Sequence, residues 1–315
     1  LSYSKQLSGT SPFSLVRFAA ASAVQSGTMA QPEPPGPGAL FHGVLPCYGG
    51  TMAAKKGSSL HVQTDSLRVV SMLFLLGAAV LFLGSAALQL AASLRRWVVF
   101  RGSSPPEEFR GEDHLYDYFF PVDPWQHIGW VAQAFGAGAL IQALGVAAMA
   151  AGVLLAFGAA TARRTIVVDI AVAALVVAAC GFLGAHALIS GIAGSPSPLQ
   201  HFIAVLWLPM AGLVALGVRW RSRMPAAAAA CFLLLGTTVA GFIVASSMIA
   251  PFMAGYVSHD TTPWTESVMA AAVAASGIAL LFAAWAVSRY RDGTPAANSP
   301  ADPGIRQLPP TVAPH

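Results

Sequence analysis

The sequence predicts an all-α integral membrane protein, a six-transmembrane-helix bundle with disordered tails at both ends, and three observations carry that reading. Of 315 residues, 56% are hydrophobic and 10% are charged, against the roughly 25% charged residues from which soluble domains build a water-facing surface. The apolar residues fall into runs of about 20, the length that crosses a hydrocarbon core of roughly 30 Å at about 1.5 Å per residue. Between the runs, Arg recurs at alternate connections, as the positive-inside rule requires of a multi-pass chain.

The same charge pattern argues against nucleic acid as a partner. The net charge is +4, with three lysines against fourteen arginines, and most of the arginines lie at run ends, where they mark topology. The Arg bias and Ala tracts such as residues 226–230 fit a bacterial chain from a GC-rich genome. Cys47, Cys180 and Cys231 are too few and too scattered for a CxxC pair or a four-ligand zinc site.

Residues 1–65 are rich in Ser, Gly, Pro and Gln, with QPEPPGP at 31–37, a composition without helical or strand periodicity that predicts a disordered cytoplasmic segment. The apolar stretch at 13–24 is broken by Arg17 and is too short for a cleaved signal peptide. Met29 and Met52 both read as starts, and from Met52 the text MAAKKG leads into the first apolar run, so residues 1–51 are expected to lie outside the native chain.

Six spans follow, at 67–94, 127–160, 166–189, 199–218, 225–253 and 268–287, inside a transmembrane domain of residues 66–291. Residues 292–315 turn polar and Pro-rich and are expected to form a disordered cytoplasmic tail. Arg163 and Arg164 follow span two, Arg219, Arg221 and Arg223 follow span four, and Arg289 and Arg291 follow span six, while the connections after spans three and five hold no Lys or Arg. This places the protein in the cell membrane with both termini inside and the loop 95–126 outside. Arg95, Arg96, Arg101 and Arg110 in that loop oppose the assignment, and three other boundaries outvote them. Trp97, Trp125, Trp130 and Trp264 are expected at the outer interface and Trp220 and Trp285 at the inner one.

Span two repeats Gly138, Gly145 and Gly152 every seventh residue, a small-residue stripe that lets another helix approach closely. Gln142 shares that face and is expected to hydrogen-bond across helices. Two helix starts are expected to be alike. Asp123, Pro124, Trp125 and Gln126 supply a cap, a first-turn proline and a capping-box Gln, and Thr262, Pro263 and Trp264 repeat the first devices.

Candidate chemistry is sparse, since no nucleophile elbow, Walker loop or HExxH pattern is present. His114, His127, His186, His201 and His259 gather on the outer side, and His186 and His201 flank a short turn, the arrangement for a metal or haem iron. Asp169 sits in the inner part of span three, where an acid is a functional candidate or the partner of a cytoplasmic Arg. Thr237, Thr238, Ser246 and Ser247 decorate span five, and Pro209 interrupts span four, freeing the Val205 carbonyl.

The stretch 101–126 joins acids and aromatics, with Asp113, His114, Tyr116 and Asp117 as candidate binding residues. The expected function is that of a non-enzymatic accessory or envelope protein acting through this loop on a membrane-protein partner or a second copy of itself. A small transporter or channel-like protein using Asp169, Gln142 and the span-five hydroxyls, and a haem or metal redox protein using His186 and His201, are the alternatives.

Overall fold

The first apolar run contains no Pro between residues 66 and 100, and it forms one long element. α1 (Ala53–Leu94) runs on into a π-helical turn over Arg95–Phe100, so its apolar stretch, Ser66–Phe100, is longer than the expected 67–94. α2 (Val131–Phe157) and α3 (Arg163–Ala193) follow, the latter ending on Gly194 in the left-handed conformation with φ +70°. A 3₁₀ segment, Pro198–Trp207, leads into α4 (Leu208–Trp220). Then come α5 (Pro225–Leu234), α6 (Val239–Val244), a π turn over Ala245–Ile249, α7 (Ala250–Ala254) and α8 (Thr265–Arg289). The computed structural model describes residues 53–100, 112–157, 162–258 and 260–289, with side chains from residue 66 onward. The expectations for residues 1–51, for the tail 292–315, for Arg101 and Arg110 and for His259 fall outside the described residues.

All regular structure among the described residues is helical. Five helical stretches are long and apolar enough to cross a membrane, and a sixth qualifies if the pair Pro225–Thr237 and Val239–Ala254, bent by 67°, counts as one span. The bend corrects the expectation of a continuous helix over 225–253, and its cause is local. Thr238 is extended, with φ −94° and ψ 173°, and its hydroxyl donates to the Leu235 carbonyl at 2.7 Å while capping α6. Gly236 and Gly241 make the tight path possible. A Cβ at Gly241 would lie 2.3 Å from the Leu235 carbonyl oxygen, and one at Gly236 would lie 2.5 Å from Ala272 Cβ.

Span four also departs from expectation. Pro209 stands in the first turn of α4, where a missing N–H costs nothing, and the Leu208 amide reaches the Val205 carbonyl. The irregularity lies upstream, in the 3₁₀ turns and at Phe202, whose φ −98° and ψ 34° are non-helical.

Each spanning element packs on the next, α1 on α2, α2 on α3, α3 on α4, α4 on α5 and α5 on α8, and α8 returns to α1. The bundle is therefore a closed ring. The glycines of α2 explain two of these seams. Gly138, Gly145 and Gly152 face Ser85, Phe82 and Leu75 of α1, while Gly136 meets Gly184 and Leu188 of α3. Ser85 and Ser71 hydroxyls donate to the Gly138 and Gly152 carbonyls at 2.7 Å each, bonds that only such close backbones allow.

The outward faces are as apolar as the inward ones, with Ile192 72%, Val80 66% and Phe282 62% exposed. A helix apolar all round is suited to lipid, not water. The tryptophans differ in exposure. Trp130 and Trp285 are exposed, but Trp97, Trp125 and Trp220 are buried side chains of the bundle.

A candidate polar site at mid-bundle and its folded cap

Apolar helices leave few side chains able to hydrogen-bond, and several of them converge in the ring's interior. Gln89 of α1 donates from its amide to Gln142 Oε1 of α2 at 3.1 Å and to Ser85 Oγ at 2.9 Å. The Gln142 amide in turn donates to Thr237 Oγ1 at 3.0 Å, and the Thr237 hydroxyl donates to the Leu234 carbonyl at 2.8 Å. Thr237 is available because the helix breaks beside it. Gln89 and Gln142 are buried, where each satisfied bond is retained because the alternative is an unpaired polar group.

Gln89, Gln142 and Thr237 line a cavity together with Phe119, Phe135, Ala139, Cys180, Leu183, Pro209 and Met269. Its volume is about 20 Å³, enough for one water-sized molecule. Every member of the ring contributes to its wall: Gln89 from α1, Gln142 from α2, Cys180 from α3, Pro209 from α4, Thr237 from the break after α5 and Met269 from α8. Pro209 is the central residue of the stretch Pro198–Trp220, and at about 1.5 Å per residue Gln142, Cys180 and Thr237 lie within about 4 Å of the middles of theirs, whereas Gln89 and Met269 lie about 9 and about 12 Å from theirs, toward the cap. Among the described residues no ionised side chain lines the cavity. The Gln89 carbonyl oxygen accepts no hydrogen bond from the described residues.

Over the Arg96 end of the ring, residues 112–130 fold into a cap. Tyr116, Tyr118, Phe120, Trp125 and Ile128 are buried against Ala92, Phe135, Leu183 and Ala187, forming a second apolar core. The cap is tied to the ring by one fully buried cation. Arg96 donates to Asp117 Oδ1 at 2.7 Å and to Glu266 Oε1 at 2.8 Å, and its guanidinium lies 4.6 Å from the Trp97 ring centroid. Glu266, in the first turn of α8, accepts from Trp97 Nε1 at 2.6 Å through its other oxygen. Thr261 Oγ1 donates to Asp117 at 2.8 Å. Burial, and next the negative charge of Glu266, holds the Tyr118 phenol well above its ordinary value of 10. Arg96 is therefore not a solvated loop charge.

The sequence-predicted site residues fall into three groups. Gln142 is in the mid-bundle chain just described. Asp169, buried at the opposite end, pairs with Arg219 of α4, and Arg223 stands 3.6 Å from its second oxygen. Arg219 also donates to the Thr165 carbonyl at 3.2 Å, so this acid fastens α3 to α4 and does not border the cavity. In the cap, Tyr116 is buried with its hydroxyl on Gln126 Oε1 at 3.0 Å, and Asp117 serves Arg96. Asp113 and His114 are the more exposed members of that quartet, and they lie beside Asp260. His114 Nδ1 is 3.3 Å from Asp113 and 3.9 Å from Asp260.

The pairing of His186 with His201 as iron or metal ligands does not match the geometry. His186 is fully buried, with Nδ1 on Ser197 Oγ at 2.7 Å and Nε2 on the Pro121 carbonyl at 2.9 Å, and the Phe120 ring lies 4.3 Å away. Both ring nitrogens are committed to holding the cap on the turn after α3. His201 is exposed. The expected capping phrase at Asp123 is likewise spent elsewhere. Asp123 exchanges two hydrogen bonds with Gln200, at 3.0 and 2.9 Å, and α2 begins at Val131. The second phrase starts its helix two residues after Pro263, with Trp264 at φ +74° and α8 opening at Thr265.

Sequence reading missed Gln89 and Glu266. A signal for each exists: Gln89 and Gln142 are long amides set within apolar runs, and Glu266 opens the last run at the end where Arg96 closes the first. Comparison with known proteins adds no relative, since no family model, curated protein or solved structure matches the chain.

Proposed function

We propose that the chain is a multi-pass protein of the cell membrane whose helix ring encloses a path for small, uncharged polar solutes, in the manner of a transporter or channel. The observation that carries this reading is the mid-bundle cavity, walled by all six members of the ring and by two irregular spans. Polar groups gathered at mid-depth where helices are interrupted are the usual sign of a membrane passage. The neutral lining and the open acceptor on Gln89 favour a hydrogen-bond donor such as water, ammonia or urea over an ion.

The orientation with both termini inside is supported by exposure. Arg68, Arg163, Arg164, Arg221, Arg223 and Arg289 are exposed at the Asp169 end, the pattern of a cytoplasmic face. At the other end Arg96, one of the four opposing loop arginines, is buried and paired and so is no surface charge.

The test is permeability of proteoliposomes by stopped-flow light scattering for water and urea, and by an internal pH dye for ammonia. Protein should raise at least one of these rates above that of protein-free vesicles, and Gln142→Leu should return it to the baseline. Equal rates with and without protein for all three solutes refute the reading.

A second reading, an accessory protein that acts on a membrane-protein partner or a second copy through its outer segment, is favoured by the exposed cluster Asp113, His114 and Asp260 at the cap's tip. Co-purification in mild detergent tests it, because a double substitution Asp113→Ala and His114→Ala leaves the buried cap in place. An unchanged set of co-purifying proteins removes that role.

A further inference from the structure

We propose that Phe119 is the outer gate of the mid-bundle cavity, a proposal that rests on reading that cavity as a passage. Phe119 belongs to the cap, yet it is also a wall residue of the cavity. It is therefore the side chain through which the folded outer segment reaches the polar site. Its neighbours are fixed by other means. Tyr118 is buried beneath Arg96, with the guanidinium 6.0 Å from its ring, and Phe120 rests on His186 at 4.3 Å. Asp117 is held by Arg96 and Thr261, and Gln126 donates its backbone N–H to the Leu115 carbonyl at 2.7 Å.

Phe119 itself is half-buried, with apolar surroundings and two ring contacts. Its centroid lies 5.6 Å from Phe135 of α2 and 5.9 Å from Phe242 of α6. Aromatic contacts of this kind are weakly directional, so the ring can turn aside while the backbone on both sides stays anchored. Phe242 lies on the half-helix that follows the break at Thr238. The three rings thus link the cap, α2 and the broken span over the cavity's outer side, and a rotation of one ring opens a way to Gln89 and Gln142.

A thiol already inside the cavity makes the gate measurable without knowing the solute. Cys180 lines the cavity, whereas the buried Cys231 does not. In a Cys47→Ser, Cys231→Ser background Cys180 is the single thiol, and methyl methanethiosulfonate, a small uncharged thiol reagent suited to the neutral lining, is added to intact cells. Mass spectrometry of the purified protein reads the labelling rate, and Cys180→Ser confirms the site. Phe119→Ala is expected to accelerate labelling by about tenfold or more, the change given by a barrier lowered by one decade's worth of free energy. Phe119→Leu, which keeps an apolar side chain in the cap, is expected to fall between, and it supplies the comparison if the Ala variant fails to fold.

Labelling of both variants at the parental rate overturns the gate, as does parental Cys180 that reacts as fast as in denatured protein. The same variants in the permeability assay separate the two ideas. Accelerated labelling with solute permeability still at the protein-free level supports Phe119 as the plug and overturns the passage reading alone. Raised permeability with unchanged Cys180 labelling supports the passage and overturns the gate.

Discussion

Replacing Arg96 by Met is the most informative single perturbation of this fold. The guanidinium has no exposed surface, and it compensates Glu266, whose side chain is 5% exposed, and Asp117, whose side chain is 29% exposed. With Arg96 removed, Asp117 can recover water and Glu266 cannot. Breaking a buried pair by deleting one partner costs about 3 to 5 kcal/mol, because the other charge is left uncompensated, which shifts the unfolding equilibrium by roughly two to four orders of magnitude at about 1.4 kcal/mol per decade. Removing both charges in an Arg96→Met, Glu266→Met double variant should recover much of that loss, since an apolar pair of similar volume is close to neutral. The residue of the cost is the Trp97 indole left without its acceptor, about 1 to 3 kcal/mol. Reversible unfolding in mixed micelles, followed by tryptophan fluorescence and helical circular dichroism, gives all four corners of the cycle. An Arg96→Met variant within about 0.5 kcal/mol of the parent, or single losses that simply add to the double within that margin, refutes the account of Arg96 as the compensated centre of the cap.

Three further outcomes are expected. Gly136→Ala should destabilise by about 1 to 3 kcal/mol, more than Gly138→Ala, because the new Cβ would lie 2.5 Å from the Leu188 backbone nitrogen, against 3.1 Å from the flexible Gln89 Cγ at Gly138; thermal unfolding in detergent ranks the two. Asp169→Asn should lose about 1.5 to 3 kcal/mol of stability by weakening charge-assisted bonds to Arg219 while leaving solute permeability unchanged, and a flux defect at full stability would return this acid to the transport path. Tyr118, held protonated above the ordinary phenol range, ionises in the unfolded chain before the folded one. Stability from this site is therefore intact below pH 10 and falls as pH rises past it. Absorbance at 295 nm between pH 9 and 11 should rise equally for the parent and for Tyr118→Phe, and a larger rise in the parent would contradict the burial.

What the sequence makes legible here is what local composition controls. Length and hydropathy locate the six runs, and the spacing of Gly138, Gly145 and Gly152 identifies the face on which α1 packs. Features set by distant partners are not legible in the same way. Arg96 reads as a loop arginine because its acid, Glu266, lies 170 residues further along. His186 reads as a ligand because its two acceptors and donors, Ser197 and the Pro121 carbonyl, belong to a turn and a cap whose fold no periodicity announces. The break at Thr238 is hidden for another reason. A Thr hydroxyl on a nearby carbonyl serves a straight helix as well as a broken one, so only the flanking Gly236 and Gly241 hint at the bend.

The closure of the ring has a bearing on how the protein is made. Elements emerge in chain order, so Arg96 and Trp97, in the π-helical turn after α1, wait through the completion of the intervening spans before Glu266 appears in the first turn of α8. Until then the buried cation has no acid from the final helix to meet, and α1 and α5 both lack the neighbour that joins them. Completion of the last helix is thus the event that seals the bundle and settles its innermost charge. A chain stopped before Thr265 would present an open seam and an arginine matched by Asp117 alone, two features that set an unfinished molecule apart from a finished one.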